Sequence, residues 1–165
     1  MAALEVVPAT AEERLTIENL FQLYAYDWSD VLGLDVGDDG RFRQVQLDVY
    51  WRDGACHPFL IRVDGRPGGF ALVCGRSRLS GADGVFDMAE FFVMRRHRRQ
   101  GIGRKVACAL FERFEGRWEI RQRLEHPAAT NFWRDVIARH TGGKYREVMW
   151  DDAHWRGPVQ TFSTI

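Results

Sequence analysis

Excess charge of either sign is missing from this chain. Lys plus Arg total 23 and Asp plus Glu total 23, so the formal net charge is zero with neutral His. Proteins that bind nucleic acid or membrane surfaces ordinarily carry a clear positive surplus, so neither kind of partner is expected. Long apolar runs are missing too; none approaches the ~18 residues that span a bilayer. The segment Met1 to Pro8 has neither a basic stretch nor an apolar core, so nothing points to export and a cytoplasmic protein is expected. Cysteine is scarce: Cys56, Cys74 and Cys108 are scattered and odd in number. That argues against a disulfide framework and for a reducing compartment. The histidines, His57, His97, His126, His140 and His154, share no metal-ligand spacing with one another or with the cysteines, so no metal site is expected. There is no internal repeat, no low-complexity stretch and no glycine-rich segment long enough to be a linker.

What is present is the composition of one globular domain, residues 1–165, with 45% apolar and 28% charged residues. Leu4 to Val7 reads as a strand. Thr10-Ala-Glu-Glu13 is a capping box, a hydroxyl followed three residues later by a carboxylate. Leu15, Leu20, Leu23 and Tyr24 then fall near one face of a helix running to about Asp27. Ser29 to Arg52 mixes glycine, aspartate and aromatics and reads as loop with a short helix. Pro58–Val63 and Phe70–Cys74 form a hairpin around Asp64–Gly69, and Val85–Val93 is a third strand. A turn then opens a helix whose Val106, Ala107, Leu110, Phe111 and Phe114 make a stripe at helical spacing. Trp118–Leu124 is the next strand. Pro127–His140 is a helix with proline near its first turn, stopped by Gly142-Gly143. Lys144–Trp150 and Val159–Phe162 close the chain as strands. The order β-α-(α)-β-β-β-α-β-α-β-β implies an α/β fold of the α+β kind, a mixed and mostly antiparallel sheet flanked by helices.

The most informative segment is Phe91 to Lys105, where a strand runs through Arg98-x-x-Gly101-x-Gly103 straight into a helix. The first amides of a helix have no intrahelical partner and point outward at its positive end, which makes an anion site. Glycine lets backbone approach a ligand with no Cβ in the way. A P-loop is excluded because no Gly-Lys-Ser/Thr occurs, and a dinucleotide fingerprint because position 106 is valine. Arg95, Arg96, Arg98, Arg99, Arg104 and Lys105 give six positive charges between 95 and 105 with no acidic residue. The rest of the chain is therefore net −6, which fits a local anion pocket better than an extended nucleic-acid footprint.

This segment resembles motif A of the GNAT (GCN5-related N-acetyltransferase) superfamily. There a strand ending in valine leads to Arg/Gln-x-x-Gly-x-Gly/Ala, matched by Val93, Arg98, Gly101 and Gly103. Arg95 stands where that family often has proline and Arg99 where it often has glycine. Trp118–Leu124 followed by His126-Pro-Ala-Ala-Thr-Asn-Phe-Trp-Arg134 resembles motif B, with Ala129, Phe132 and Trp133 matching and His126 where asparagine is usual.

The resemblance implies an acetyl-CoA-dependent N-acetyltransferase that acetylates a primary amine of a small molecule or peptide by direct attack on the thioester. It implies that backbone groups of Phe91, Phe92 and Val93 pair with the pantetheine arm, and that an N–H near Val93 serves as oxyanion donor. The amides of Arg99, Gly101, Ile102, Gly103 and Arg104, with the Arg98 side chain, would cradle the pyrophosphate. Asn131 would hydrogen-bond the cofactor or face solvent. Tyr24, Asp27 and Trp28 would form the acceptor wall, aromatics and a carboxylate suited to a cationic amine.

Glu90 is the candidate general base, since alternation places it between Met88 and Phe92 on one face; Asp87 is a weaker one. Trp133 stands where many GNAT members carry a tyrosine acid, and indole cannot serve as that acid. Tyr24, Tyr26 and Tyr145 are the substitutes, and a non-catalytic acyl-CoA-binding domain stays open as the alternative. Presenting a lysine-like amine in neutral form at pH 7 costs roughly 4–5 kcal/mol against about 1 kcal/mol for an α-amine, which favours a weakly basic acceptor. Cys108, beside Val106, Ala107 and Leu110, reads as a small core residue. The closing strands leave pairing between two copies open.

Overall fold

The computed structural model describes residues 2–43 and 46–165. Its elements are β1 (Leu4–Pro8), α1 (Arg14–Leu32), α2 (Val49–Arg52), β2 (Cys56–Val63), β3 (Arg66–Arg76), β4 (Asp83–Val93), α3 (Ile102–Arg113), β5 (Arg117–Arg121), α4 (Pro127–Thr141), β6 (Arg146–Asp151) and β7 (Arg156–Ser163). The strands form one seven-stranded sheet in the order β1-β2-β3-β4-β5-β7-β6. The expected order and fold class are those observed. The chain divides into two compact units, Met1–Leu72 with Glu90–Arg98, and Val73–Ala89 with Arg99–Ile165. β3 and β4 run through both.

In the first unit β1 lies antiparallel to β2, with Leu4 opposite Val63 and Pro8 opposite Phe59. Asp64 and Gly65 join β2 to β3 with both residues in the left-handed region, at φ 51° and 73°. That is the turn whose twist matches paired strands, and it is shorter than the six-residue turn expected from Asp64–Gly69. Thr10 opens the first helical turn as expected, its N–H donating to the Glu13 carboxylate at 2.9 Å. α1 runs five residues past Asp27, to a left-handed Gly33 at φ 61°. Its inward face differs from the expected one. Ile17 and Leu20 are buried, whereas Leu15 and Leu23 are largely exposed. The stripe that packs continues through Phe21, stacked on Phe70 at 5.6 Å between ring centroids, and Tyr24, edge-to-face with the same ring at 5.7 Å. Of the segment read as loop with a short helix, residues 44 and 45 lie outside the described residues, and α2 supplies the helix.

In the second unit β4 and β5 pair in parallel over Val85–Asp87 against Arg117–Glu119, and β7 is antiparallel to both β5 and β6. β5 ends at Arg121, three residues short of expectation. The expected stripe of α3 holds: Val106, Ala107, Leu110 and Phe111 are buried. The Phe111 ring centroid lies 4.9 Å from both Trp118 and Phe162. Each such side chain contributes roughly 1.5–3 kcal/mol by leaving water.

Cys108 is a free cysteine. Cys108 is half-buried, and burial pushes its thiol above the ordinary range, so it is a poor nucleophile at neutral pH.

Candidate active site

β4 carries Glu90 and Phe92 to α1. Alternation puts both on the face that α1 covers. Tyr24 meets both: its hydroxyl donates to the Glu90 carboxylate at 2.9 Å, and its ring lies 5.7 Å from that of Phe92. Trp28 closes on Tyr24 edge-to-face at 6.1 Å. The expected base and two of the three expected acceptor-side residues therefore share one half-buried aromatic cluster. A carboxylate held by a phenol among aromatic rings can hold an ammonium over the ring faces and then take its proton, leaving a neutral amine.

The approach of β3 to β4 here depends on glycine. A Cβ on Gly69 would lie 2.1 Å from the Phe92 carbonyl oxygen. Beyond β4 the Met94 N–H donates to the Gly68 carbonyl at 2.9 Å, and a 3₁₀ turn follows over Arg95–His97. The glycine pair read from sequence as part of a turn is therefore a close strand contact, the usual meaning of glycine inside a strand.

Arg98 follows that turn in extended conformation. Its Nε donates to the Val93 carbonyl at 2.7 Å, its guanidinium pairs with Asp27 of α1, and Cζ stands 5.6 Å from the Phe92 ring centre. Arg95 donates to the same carboxylate at 2.9 Å. The third acceptor-side residue, Asp27, is thus engaged by two arginines.

In the second unit, Arg99 and Gly101 flank Gln100 with left-handed backbone, at φ 59° and 76°. Such alternation turns successive N–H groups toward one concavity suited to an anion. For an L-residue this conformation costs roughly 1–2 kcal/mol, which explains the usual glycine where Arg99 stands. A Cβ on Gly101 would meet no protein atom within 4 Å. α3 follows at once, with Ile102 buried and Arg99 and Arg104 exposed. These features fit the pyrophosphate of a coenzyme.

On α4, Asn131 is exposed, and His126 accepts a hydrogen bond from the Ala129 N–H at 3.0 Å as N-cap. Capping needs an acceptor side chain, which asparagine or histidine supplies. Trp133 is buried against Phe111 and Phe132. Tyr145 lines a groove of about 720 Å³ with Arg117, Glu119 and Arg146, away from the loop before α3; Tyr26 is exposed.

Sequence reasoning did not find the pairing of Asp87 with Arg121. Asp87 is fully buried in β4 and accepts from the Arg121 Nε at 3.0 Å. Burial pushes its carboxyl above the ordinary range while the guanidinium pulls it back. Its isolation from water makes it a structural group and not the second base candidate. A carboxylate between the apolar Phe86 and Met88 in β4 was the available signal.

The sequence matches the model of the acetyltransferase (GNAT) family over residues 17–136. The chain belongs to this family. Solved structures agree in fold. An acetyltransferase from Thermus thermophilus is 16% identical with TM-score 0.65, covering 98% of this chain and 97% of its own. A GNAT acetyltransferase from Staphylococcus aureus is 11% identical with TM-score 0.64, covering 99% and 100%. Spermidine N-acetyltransferase from Vibrio cholerae, in complex with CoA and spermine, is 10% identical with TM-score 0.60, covering 97% and 95%. No curated protein matches the sequence. Among the described residues, no helix is long and apolar enough to cross a membrane.

Proposed function

We propose that residues 1–165 act as one cytoplasmic acetyl-CoA-dependent N-acetyltransferase domain whose acceptor is a primary amine of a small molecule or peptide. The observation that carries this reading is the left-handed Arg99 and Gly101 at the mouth of α3, in a chain of the GNAT family. The amides of Arg99 to Arg104 receive the pyrophosphate, and Asn131 offers a further polar contact. The cofactor supplies the acetyl group as a thioester. Backbone groups of Phe91 to Val93 align its arm, and the Val93 N–H donates to the thioester oxygen as charge develops there.

Glu90 accepts the proton released when the amine attacks, and Tyr24 holds that carboxylate in place. The aromatic rings and Glu90 together favour an acceptor that arrives as a cation. The neighbouring Vibrio enzyme carries spermine in its structure, and a polyamine is one such acceptor. An α-amine demands less deprotonation and is the other. The buried Trp133 favours a second reading, an acyl-CoA-binding domain without turnover.

Thiol release from acetyl-CoA, measured with spermidine, free amino acids and short peptides, separates the two. Amine-dependent release that falls about 10²–10⁴-fold in Glu90→Gln is expected. Tight binding with no release for any amine would leave only the second reading.

A further inference from the structure

We propose that the outer edge of β6 is an interface with a second copy of this chain, the two β6 strands pairing antiparallel about Val148. The proposal stands apart from the acetyl-CoA reading above and lies wholly in the second unit. β6 pairs with β7 alone, through six consecutive rungs from Arg146 opposite Thr161 to Asp151 opposite Arg156. The rungs are regular, so no bulge turns the edge away, and no proline interrupts the strand. Edge strands are ordinarily protected by such devices or by charge. The middle of β6 shows apolar side chains instead: Val148 is 50% exposed and Met149 60%. Alternation puts them on opposite faces of the sheet. A partner laid on one face covers one of them, whereas a strand added at the edge flanks both.

Charge selects the partner and its direction. Lys144 and Arg146 are exposed at one end of the strand, Asp151 and Asp152 at the other. Asp151 has Arg156 at 3.9 Å, while Glu147 in between is engaged by Arg134 of α4. A strand so marked meets its own copy favourably when antiparallel; parallel copies set like charges side by side. A two-fold axis supplies the antiparallel arrangement. The backbone narrows the register. The Asp152 N–H donates to the Trp155 carbonyl at 3.0 Å, in register with the ladder. Hydrogen-bonded rungs recur at every second residue. Even-numbered residues of β6 therefore turn their backbone groups to β7, and Glu147, Met149 and Asp151 turn theirs outward. Centring on Met149 would set Glu147 against the partner's Asp151. Centring on Val148 joins the backbone of Glu147 to that of the partner's Met149, and the converse. It also sets Lys144 against the partner's Asp152 and Arg146 against the partner's Trp150.

Sedimentation equilibrium of the wild type and Met149→Pro reads the association, with circular dichroism on heating confirming that the variant is folded. The proline removes an N–H that β7 does not use, which an edge strand tolerates. Each copy loses one hydrogen bond to the other, so self-association should weaken about tenfold or more. Two further variants read the register by cross-linking under mild oxidation. Val148→Cys faces its own copy in a rung with Cα atoms about 4.5 Å apart, within disulfide reach. Met149→Cys lies diagonally from its copy at roughly 7–8 Å, beyond that reach. Val148→Cys should give a covalent dimer, and Met149→Cys no more of it than the wild type. A wild type that stays monomeric at every concentration overturns the proposal and leaves the edge to an extended segment of a different protein. Association that a folded Met149→Pro leaves intact overturns it too, as does cross-linking of Met149→Cys as strong as that of Val148→Cys.

Discussion

Replacing Asp87 by alanine should destabilise the second unit more than any surface substitution. Asp87 is fully buried, and its partner Arg121 has a side chain only 9% exposed. The pair spans β4 and β5 at the last rung of their short ladder, Asp87 opposite Glu119. Taking away the carboxylate leaves a guanidinium out of water against the Trp155 ring, whose centre lies 4.5 Å from it. Breaking a buried pair from one side costs about 3–5 kcal/mol. With an unfolding entropy of roughly 2.1 cal/mol/K per residue, 165 residues give about 350 cal/mol/K. The melting temperature should therefore fall by about 9–14 °C. Circular dichroism on heating, with urea titration beside it, reads this. The double change Asp87→Ala, Arg121→Met removes both charges and should regain at least half the loss, since an apolar replacement of an ion pair is often near neutral. A single variant within about 1 kcal/mol of wild type, or a double variant no better than the single, would refute the reasoning.

Gly69→Ala forces a Cβ to 2.1 Å from the Phe92 carbonyl, so β3 and β4 must part in the first unit; a loss of at least about 3 kcal/mol is expected in urea unfolding. Arg99→Gly relieves a left-handed arginine at φ 59° but frees the unfolded chain, for a net gain of up to about 1 kcal/mol by the same assay. Tyr24→Phe should lower kcat by less than Glu90→Gln does, and add little to it in the double variant, because both act through one carboxylate. The side-chain hydrogen bond from Arg134, with a further one from Gln160, holds the Glu147 carboxyl below its ordinary value of 4.5. Its stabilisation is present above about pH 4.5 and is lost as pH falls through the lowered folded value. Glu147→Gln should therefore make the acid limb of the stability–pH curve shallower.

Much of this architecture was legible because local chemistry and global packing agree. The stripe of α3, the proline entry and glycine stop of α4, and the strand–turn–helix around Arg98 each carry their own physical signature. Failures came where tertiary contact decides. Leu15 and Leu23 are as apolar as Ile17 and Leu20, and only the position of Phe70 in β3 selects which face turns inward. Gly68 and Gly69 look like a turn until the approach of Phe92 is known. In the candidate site, alternation puts Glu90 and Phe92 on one face, and Tyr24 meets both. Nothing in spacing reveals that Arg95 and Arg98, some seventy residues away, turn back to Asp27.

The central claim is that the mouth of α3 receives the pyrophosphate of acetyl-CoA, and Gly101→Glu tests it most directly. A Cβ there meets no atom of the described residues within 4 Å, so the substitution enters open space at about 1 kcal/mol of backbone strain and places a carboxylate where the phosphates would sit. Calorimetric titration of acetyl-CoA should give micromolar affinity for the wild type and none for the folded variant. No heat from the wild type, or equal affinity in both, would contradict the account.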